Sequence, residues 1–222
     1  MLRRIKVLGS SSKGNAYVLY FDNKKSIQLD AGVKNPKLND NDWLFVTHSH
    51  GDHDTYTKDF ENKEHLVTYC EEPRTTELYT SFNVPHAVLN NGYMINYNDE
   101  KIAYITDCGN WSKIDIDLSN CTYLFIECNW DYWGVKFGNI KVQPHSSYSF
   151  SKEGHMSNLD CMMAMVKWNV NKNCKIILCH KSGDHANYDT TYKLFDSMGI
   201  PYYIAKAGDE LFCKKTKWWD PA

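Results

Sequence analysis

The apolar residues of this chain gather in short runs separated by clusters of Asn, Asp, Gly, Ser and Pro. That rhythm belongs to strands and tight turns rather than to long helices. It predicts strands over 3–8, 16–21, 26–30, 43–47, 66–70, 84–89, 93–97, 101–106, 122–128, 174–179 and 201–205. Asn90-Asn91-Gly92 and Asn98-Asp99-Glu100 read as turns between them, since Asn, Asp and Gly tolerate left-handed backbone. The period changes after Ser157, a good helix cap. Leu159, Met162, Met163, Val166 and Trp168 then recur at the i, i+3, i+4 spacing of a helix laid on a sheet. The methionines there read as core rather than as a cofactor box. A second helix is expected over roughly 189–198, stopping at Gly199 before Pro201. No repeat, low-complexity tract or linker interrupts the pattern. The expectation is an α/β fold in one domain spanning 1–222.

Composition narrows this only a little. Hydrophobic residues make up 42% and charged ones 23%, which are globular values. No apolar stretch approaches the ~20 residues of a membrane span, and the N-terminus lacks a signal peptide's apolar stretch. Eight cysteines without a C-x-x-C pair, with Cys128, Cys174 and Cys179 inside strands, suggest reduced thiols. A cytoplasmic protein with no membrane partner is expected. The net charge of −2 gives no global positive field, and arginine stands only at 3, 4 and 74. Any contact with a polyanion must therefore be local.

The chemistry concentrates in Thr47-His48-Ser49-His50-Gly51-Asp52-His53, an H-x-H-x-D-H box directly after the run Trp43-Leu44-Phe45-Val46. Three imidazoles and a carboxylate packed so closely repel one another if charged and resist desolvation if buried. Divalent cations remove both difficulties, because neutral His and ionised Asp are standard ligands. Further candidates follow the same logic. Asp30, Asp107 and His180 each close an apolar run, and His86 follows Val84-Pro85. In a layered α/β fold, strand ends face one rim, where ligands collect.

These motifs, in this order, resemble the metallo-β-lactamase superfamily of binuclear metallohydrolases, over nearly the whole chain. Within it the chain is similar to the WalJ (YycJ)-like, nuclease-type branch. That likeness rests on Gly9-Ser10-Ser11-Ser12-Lys13-Gly14-Asn15, Val84-Pro85-His86, Gly92-Tyr93, Glu127-Cys128-Asn129-Trp130-Asp131, Gly154-His155-Met156-Ser157-Asn158 and His180-Lys181-Ser182. Two positions depart from the branch: Trp130 stands where His is usual, and Ala87 where Asp is usual. The resemblance implies an αββα four-layer sandwich and two divalent metal ions, Zn or Mn. It implies that His48, His50 and His86 hold one ion and Asp52, His53 and His180 the other, with Asp107 bridging them and a hydroxide shared between the ions. Asp52 is also the residue expected to orient the nucleophile. Asp30 is expected behind the ligands, holding an imidazole ring or the loop of the box.

His155 speaks to reaction class. It stands just before the Ser157 cap, where free backbone N–H groups stabilise anions. A His there can hold a phosphate oxygen and then protonate a leaving alkoxide, the role of the matching His in nuclease-like relatives. His145 is a loop residue that could reach the site, His65 reads as solvated surface, and His185 as either loop or support. Candidate substrate contacts are Ser11, Ser12, Asn129, Ser157 and Ser182. The aromatic stretch Asn129–Trp133 suits either a base-stacking platform or a core or homo-oligomer interface, while Trp218-Trp219 carries no signal. The expected function is a phosphodiesterase, foremost a nuclease on DNA or RNA. The alternatives are a diesterase for a small nucleotide such as a cyclic one, and a thioester, lactone or β-lactam hydrolase. A third is a metal-stabilised binding module without catalysis.

Overall fold

The apolar runs become strands, and the central ones of each sheet are covered on both faces. In chain order the strands are β1 (Leu2–Ser11), β2 (Gly14–Phe21), β3 (Ser26–Leu29), β4 (Trp43–Phe45), β5 (Leu66–Val67), β6 (Tyr79–Asn83) and β7 (Asn91–Tyr97). Then follow β8 (Glu100–Ile105), β9 (Tyr123–Glu127), β10 (Lys175–Cys179), β11 (Tyr202–Ile204), β12 (Glu210–Phe212) and β13 (Asp220–Pro221). Among the described residues, four α-helices accompany them: α1 (Gly51–Asp54), α2 (Tyr132–Lys136), α3 (Asn158–Lys167) and α4 (Tyr188–Asp196). The computed structural model describes residues 1–213 and 220–221, leaving Trp218-Trp219 and the side chains of 144–145, hence His145, outside the described residues.

The strands form two mixed sheets, ordered β13-β12-β1-β2-β3-β4-β5 and β11-β10-β9-β8-β7-β6. Successive residues of one strand serve two different cores. In β9, Tyr123 and Phe125 point into the layer between the sheets, while Leu124 and Ile126 point outward under the helices. Ile102/Tyr104 against Ala103/Ile105 in β8 and Ile177/Cys179 against Ile176/Leu178 in β10 repeat this. Such strands read as unbroken apolar runs, as expected for sheets covered on both faces. A smaller cluster of Ala31, Leu38, Leu44, Val46 and Phe60 covers the outer face of the first sheet, under short turns and α1. This is the αββα sandwich, with its long helices on the second sheet.

Three expectations change. The strand read over 84–89 is a loop; the strand is β6, at Tyr79–Asn83. Pro85 has no N–H for a ladder, and the Thr, Ser and Asn of β6 hid an alternation of buried and half-buried positions. The short β12 has no signal of its own and forms because β1 offers an edge to pair with. In α3 the expected apolar stripe shifts, keeping Trp168 as its fully buried member. Cys161, Ala164, Met165 and Trp168 are buried, at i, i+3, i+4, i+7, while Met163 and Val166 are exposed, Val166 by 71%. The buried face mixes small Cys161 and Ala164 with large Met165 and Trp168, so hydrophobicity alone does not mark it. The cap itself is a reciprocal box: Ser157 accepts from the Asp160 backbone N–H, and Asp160 accepts from that of Ser157.

Parallel pairing decides where the site lies. β3 and β4 run parallel in one sheet and β8, β9 and β10 in the other, with Ile105 opposite Ile126 and Cys179 opposite Glu127. The chain therefore leaves these strands at one level, and their carboxyl ends share one rim.

Candidate metal centre

Three residues at that rim carry backbone that most side chains avoid. Asp30, Asp107 and His180 follow β3, β8 and β10 with φ of 54°, 52° and 52°. Left-handed backbone costs a non-glycine residue on the order of 1 kcal/mol or more, least for Asn, Asp and His, and it gathers at functional positions. Each kink turns a side chain off the strand and over the end of the sheet. Gly32 lets the loop after β3 meet the box: a Cβ there would fall 1.7 Å from the Asp52 carbonyl oxygen. The same contact is tied by the Ala31 N–H donating to the His53 carbonyl at 2.7 Å.

The box then folds inward. His48 and His53 are fully buried, and His50 caps α1. Nε2 of His48 lies 3.1 Å from Nδ1 of His50, which lies 3.2 Å from Nε2 of His86. Three imidazole nitrogens aimed at one another cannot all find donors and acceptors among themselves. A tetrahedral ion with bonds of about 2.0–2.1 Å sets its ligand atoms about 3.3 Å apart, so the spacing suits a cation at their centre. A second group stands beside it. Oδ2 of Asp52 lies 3.2 Å from Nε2 of His180 and 3.4 Å from Nε2 of His53. Asp107 reaches both groups, with its oxygens 3.1 Å from His53 Nε2, 3.6 Å from His180 Nε2 and 4.0 Å from His86 Nε2. The ligand atoms of His48, His50 and His86, and those of Asp52, His53 and His180, each fall within 4.8 Å of one another. Either group could hold a metal.

Asp30 sits behind His53 and is fully buried. It accepts from His53 Nδ1 at 2.6 Å, Tyr104 Oη at 2.5 Å and the Thr47 N–H at 2.8 Å. The first contact fixes the ring so that Nε2 faces Asp52 and Asp107. Replacing Asp30 by Asn should lower metal affinity 10–100-fold, the usual cost of changing a residue that orients a ligand. Competition with a chromophoric chelator would measure it; unchanged affinity would reduce Asp30 to a fold residue.

Charge separates the two groups. Burial pushes the His48 imidazole down to about 2, and burial likewise lowers His86. For His53 burial also works downward, but the Asp107 and Asp30 carboxylates outweigh it and raise the value well above the usual range. Burial opposes charge on Asp107, yet His180, His53 and His155 together hold its carboxyl far below the usual carboxylate range. Burial thus favours the neutral, cation-ready form of His48 and His86, whereas His53 must lose a proton before Nε2 can take a cation. Affinity of the Asp52/His53/His180 group should therefore climb as pH rises through neutrality, and that of the three-His group much less. Zinc titrations at pH 6 and pH 8 should show the second binding step strengthening more than the first; equal strengthening of both would contradict this.

Glu127 was not among the sequence candidates, although β9 ends in it as other strands end in Asp and His. It is fully buried and accepts from the backbone N–H groups of Cys108 at 2.8 Å and Met156 at 3.1 Å. Its Oε1 lies 2.6 Å from Nδ1 of His155, which is also 3.2 Å from Asp107. Burial lowers the His155 value, but Glu127 and Asp107 overcome it and raise it to about 9. His155 is thus protonated at neutral pH. Trp130, at the position where the branch usually has His, braces this strap by donating from Nε1 to the His155 carbonyl at 2.9 Å.

His155 opens onto a polar cavity of about 810 Å³, also lined by Ser11, Ser12, Asn129 and Ser182. Lys13, Lys141 and His185 line it too. Asn129 additionally donates to the His180 carbonyl at 2.8 Å. Ser157 is the exception among the candidate contacts. Its hydroxyl is fully buried and committed to Asp160 at 2.6 Å, so it serves the helix cap and not the cavity. His65 stacks on Trp43 with centroids 4.2 Å apart, in the turn between β4 and β5. A separate cavity of about 680 Å³ between α4 and β11 has Tyr192, Tyr202 and Tyr203 in its walls and none of the His/Asp cluster.

No family model matches the chain. The exodeoxyribonuclease WalJ of Streptococcus pneumoniae is 26% identical, over 82% of each chain. Among solved structures, the metallo-β-lactamase fold protein YhfI of Bacillus subtilis superposes with a TM-score of 0.63 at 15% identity, covering 93% of this chain and 98% of that one. A long-form RNase Z from yeast superposes with a TM-score of 0.64 at 14% identity, over 96% of this chain and 42% of that one. Among the described residues, no helix is long and apolar enough to cross a membrane. The chain has the metallo-β-lactamase fold, and its likeness in sequence runs to exodeoxyribonucleases of the WalJ type.

Proposed function

We propose that the chain is a metal-dependent phosphodiesterase, foremost a nuclease acting on DNA or RNA. One observation carries this reading: His155, its Nδ1 2.6 Å from Glu127, faces a polar cavity beside a His/Asp cluster. Similarity to an exodeoxyribonuclease supports it. The assigned cofactors are two divalent ions, zinc or manganese. His48, His50 and His86 would hold one, Asp52, His53 and His180 the other, and Asp107 stands within reach of both. Such ions would supply Lewis acidity toward a phosphate and lower the pKa of water.

The chain's own residues do the rest. Lys13, Lys141 and the hydroxyls of Ser11, Ser12 and Ser182 line the cavity and suit phosphate oxygens. Nδ1 of His155 is committed to Glu127, and Nε2 has no hydrogen-bond partner among the described residues. His155 therefore holds a proton on the ring edge left free and delivers it to the departing oxygen. Asp52, its carboxylate kept ionised by His180 and His53 against the effect of burial, orients the nucleophile. The eight unpaired cysteines, seven of them buried, suit a reducing compartment such as the cytoplasm.

A second reading, a diesterase for a small nucleotide, draws on the size of the cavity, which falls within the usual 300–1,000 Å³ of small-molecule sites. A substrate panel with zinc or manganese decides between them. It comprises bis-p-nitrophenyl phosphate, labelled single- and double-stranded DNA and RNA, cyclic mononucleotides and a thioester. Cleavage of oligonucleotides is expected. Turnover of the thioester alone would overturn the reading.

A further inference from the structure

Short helix α2 presents two large aromatic side chains to solvent. Trp133 is 43% and Phe137 67% exposed. They stand one turn apart on one face, with ring planes within 11° of parallel and centroids 5.5 Å apart. Neither belongs to any of the apolar clusters that hold the sheets and helices together. Exposing two stacked rings has no evident benefit for the fold.

Their surroundings are cationic. Nζ of Lys136 lies 5.4 Å from the centre of the Trp133 ring and 5.3 Å from that of Tyr132. From Phe137 the chain turns through Gly138, whose φ is 73°, and returns to the cavity at Lys141 and Gln143. On its other side α2 begins three positions after Asn129, which lines the same cavity. The segment 129–143 thus leaves the cavity lining at Asn129, carries the two exposed rings, and rejoins the lining at Lys141, with Trp130 bonded to the His155 carbonyl on the way.

We propose that Trp133 and Phe137 form a stacking platform for an unpaired base of a nucleic-acid strand whose phosphate lies in the cavity. The proposal rests on the phosphodiesterase reading and gives its substrate a single-stranded segment beside the cut. Phe137, the more exposed of the two near-parallel rings, suits stacking by a planar base, and the ammonium groups of Lys136 and Lys141 suit the phosphates on either side of it. A second copy of the chain fits less well. Two side chains offer far less than the roughly 1,200–2,000 Å² that a stable protein interface buries.

The test compares wild type with the double variant Trp133→Ala/Phe137→Ala, both loaded with zinc or manganese. Loss of stacking should weaken binding of a short single-stranded oligonucleotide on the order of 10–100-fold, seen as a higher KM and as lower anisotropy of a labelled strand. Turnover of bis-p-nitrophenyl phosphate, which carries neither a nucleobase nor a flanking phosphate, should be unchanged. The conservative variant Phe137→Tyr should keep wild-type oligonucleotide binding. Equal oligonucleotide affinity in wild type and double variant would overturn the platform. So would a wild-type dimer in sedimentation that the double variant dissociates. A wild type that cleaves no oligonucleotide would sink the functional reading instead, and the anisotropy comparison would still judge the platform.

Discussion

Exchanging Asp107 for Asn should strip the protein of metal while leaving it folded. Asparagine has the same shape and also accepts left-handed backbone, so the φ of 52° at this position remains affordable. What disappears is the negative charge that faces His53, His180 and, more distantly, His86. Wild-type protein purified without chelator should carry close to two ions per chain. The variant should hold less, and its loss of diesterase activity should exceed the ~100-fold upper end for residues that merely orient a ligand. Metal analysis alongside a circular dichroism spectrum separates this from unfolding. Full metal content in Asp107→Asn would defeat the assignment, and so would a wild type that neither carries nor takes up metal.

Removing a partner charge also changes the metal-free protein. His53 owes its raised value first to Asp107 and then to Asp30, against burial. A raised histidine stabilises the fold fully below its ordinary value near 6.5 and loses that contribution as pH rises through the folded value. Asp107→Asn should therefore weaken the alkaline loss of stability of the metal-free protein, because less is present to lose.

Legibility differed from feature to feature, for physical reasons. The box, Asp30, Asp107 and His180 stood out because strand-ending residues of ligand type are rare in combination. A sheet covered on both faces converts apolar runs directly into strands, so β8, β9 and β10 were readable. The strand β6 was not, because its buried positions include Ser81 and its alternation is carried by polar residues. Glu127 escaped although it obeys the strand-end rule, since nothing in the sequence tells a carboxylate that supports His155 from one that merely ends a strand. Ser157 illustrates the opposite error: one hydroxyl cannot both cap α3 and bind substrate, and the local interaction with Asp160 takes it. The α3 stripe is hard to place because apolar residues stand on both sides of the helix: Met163 and Val166 are exposed, Met165 and Trp168 buried.

His155→Ala separates reaction class from metal binding. The ring lies beside both ion-holding groups, yet its Nδ1 is committed to Glu127, so the variant should keep its full metal content. Turnover of natural phosphodiesters should fall on the order of 10²–10⁴-fold, the usual scale of general acid–base catalysis. Turnover of bis-p-nitrophenyl phosphate should fall much less, since nitrophenolate departs without a proton and an alkoxide does not. Glu127 gives the same idea an independent handle. Against burial, Glu127 contributes more than any other carboxylate to raising His155 to about 9, so Glu127→Gln should lower that value. The alkaline limb of the pH–rate profile for a poor leaving group should then move to lower pH, because the acid loses its proton sooner. The profile for bis-p-nitrophenyl phosphate should hold its place. Equal losses on good and poor leaving groups in His155→Ala would mean that the ring positions phosphate and donates no proton.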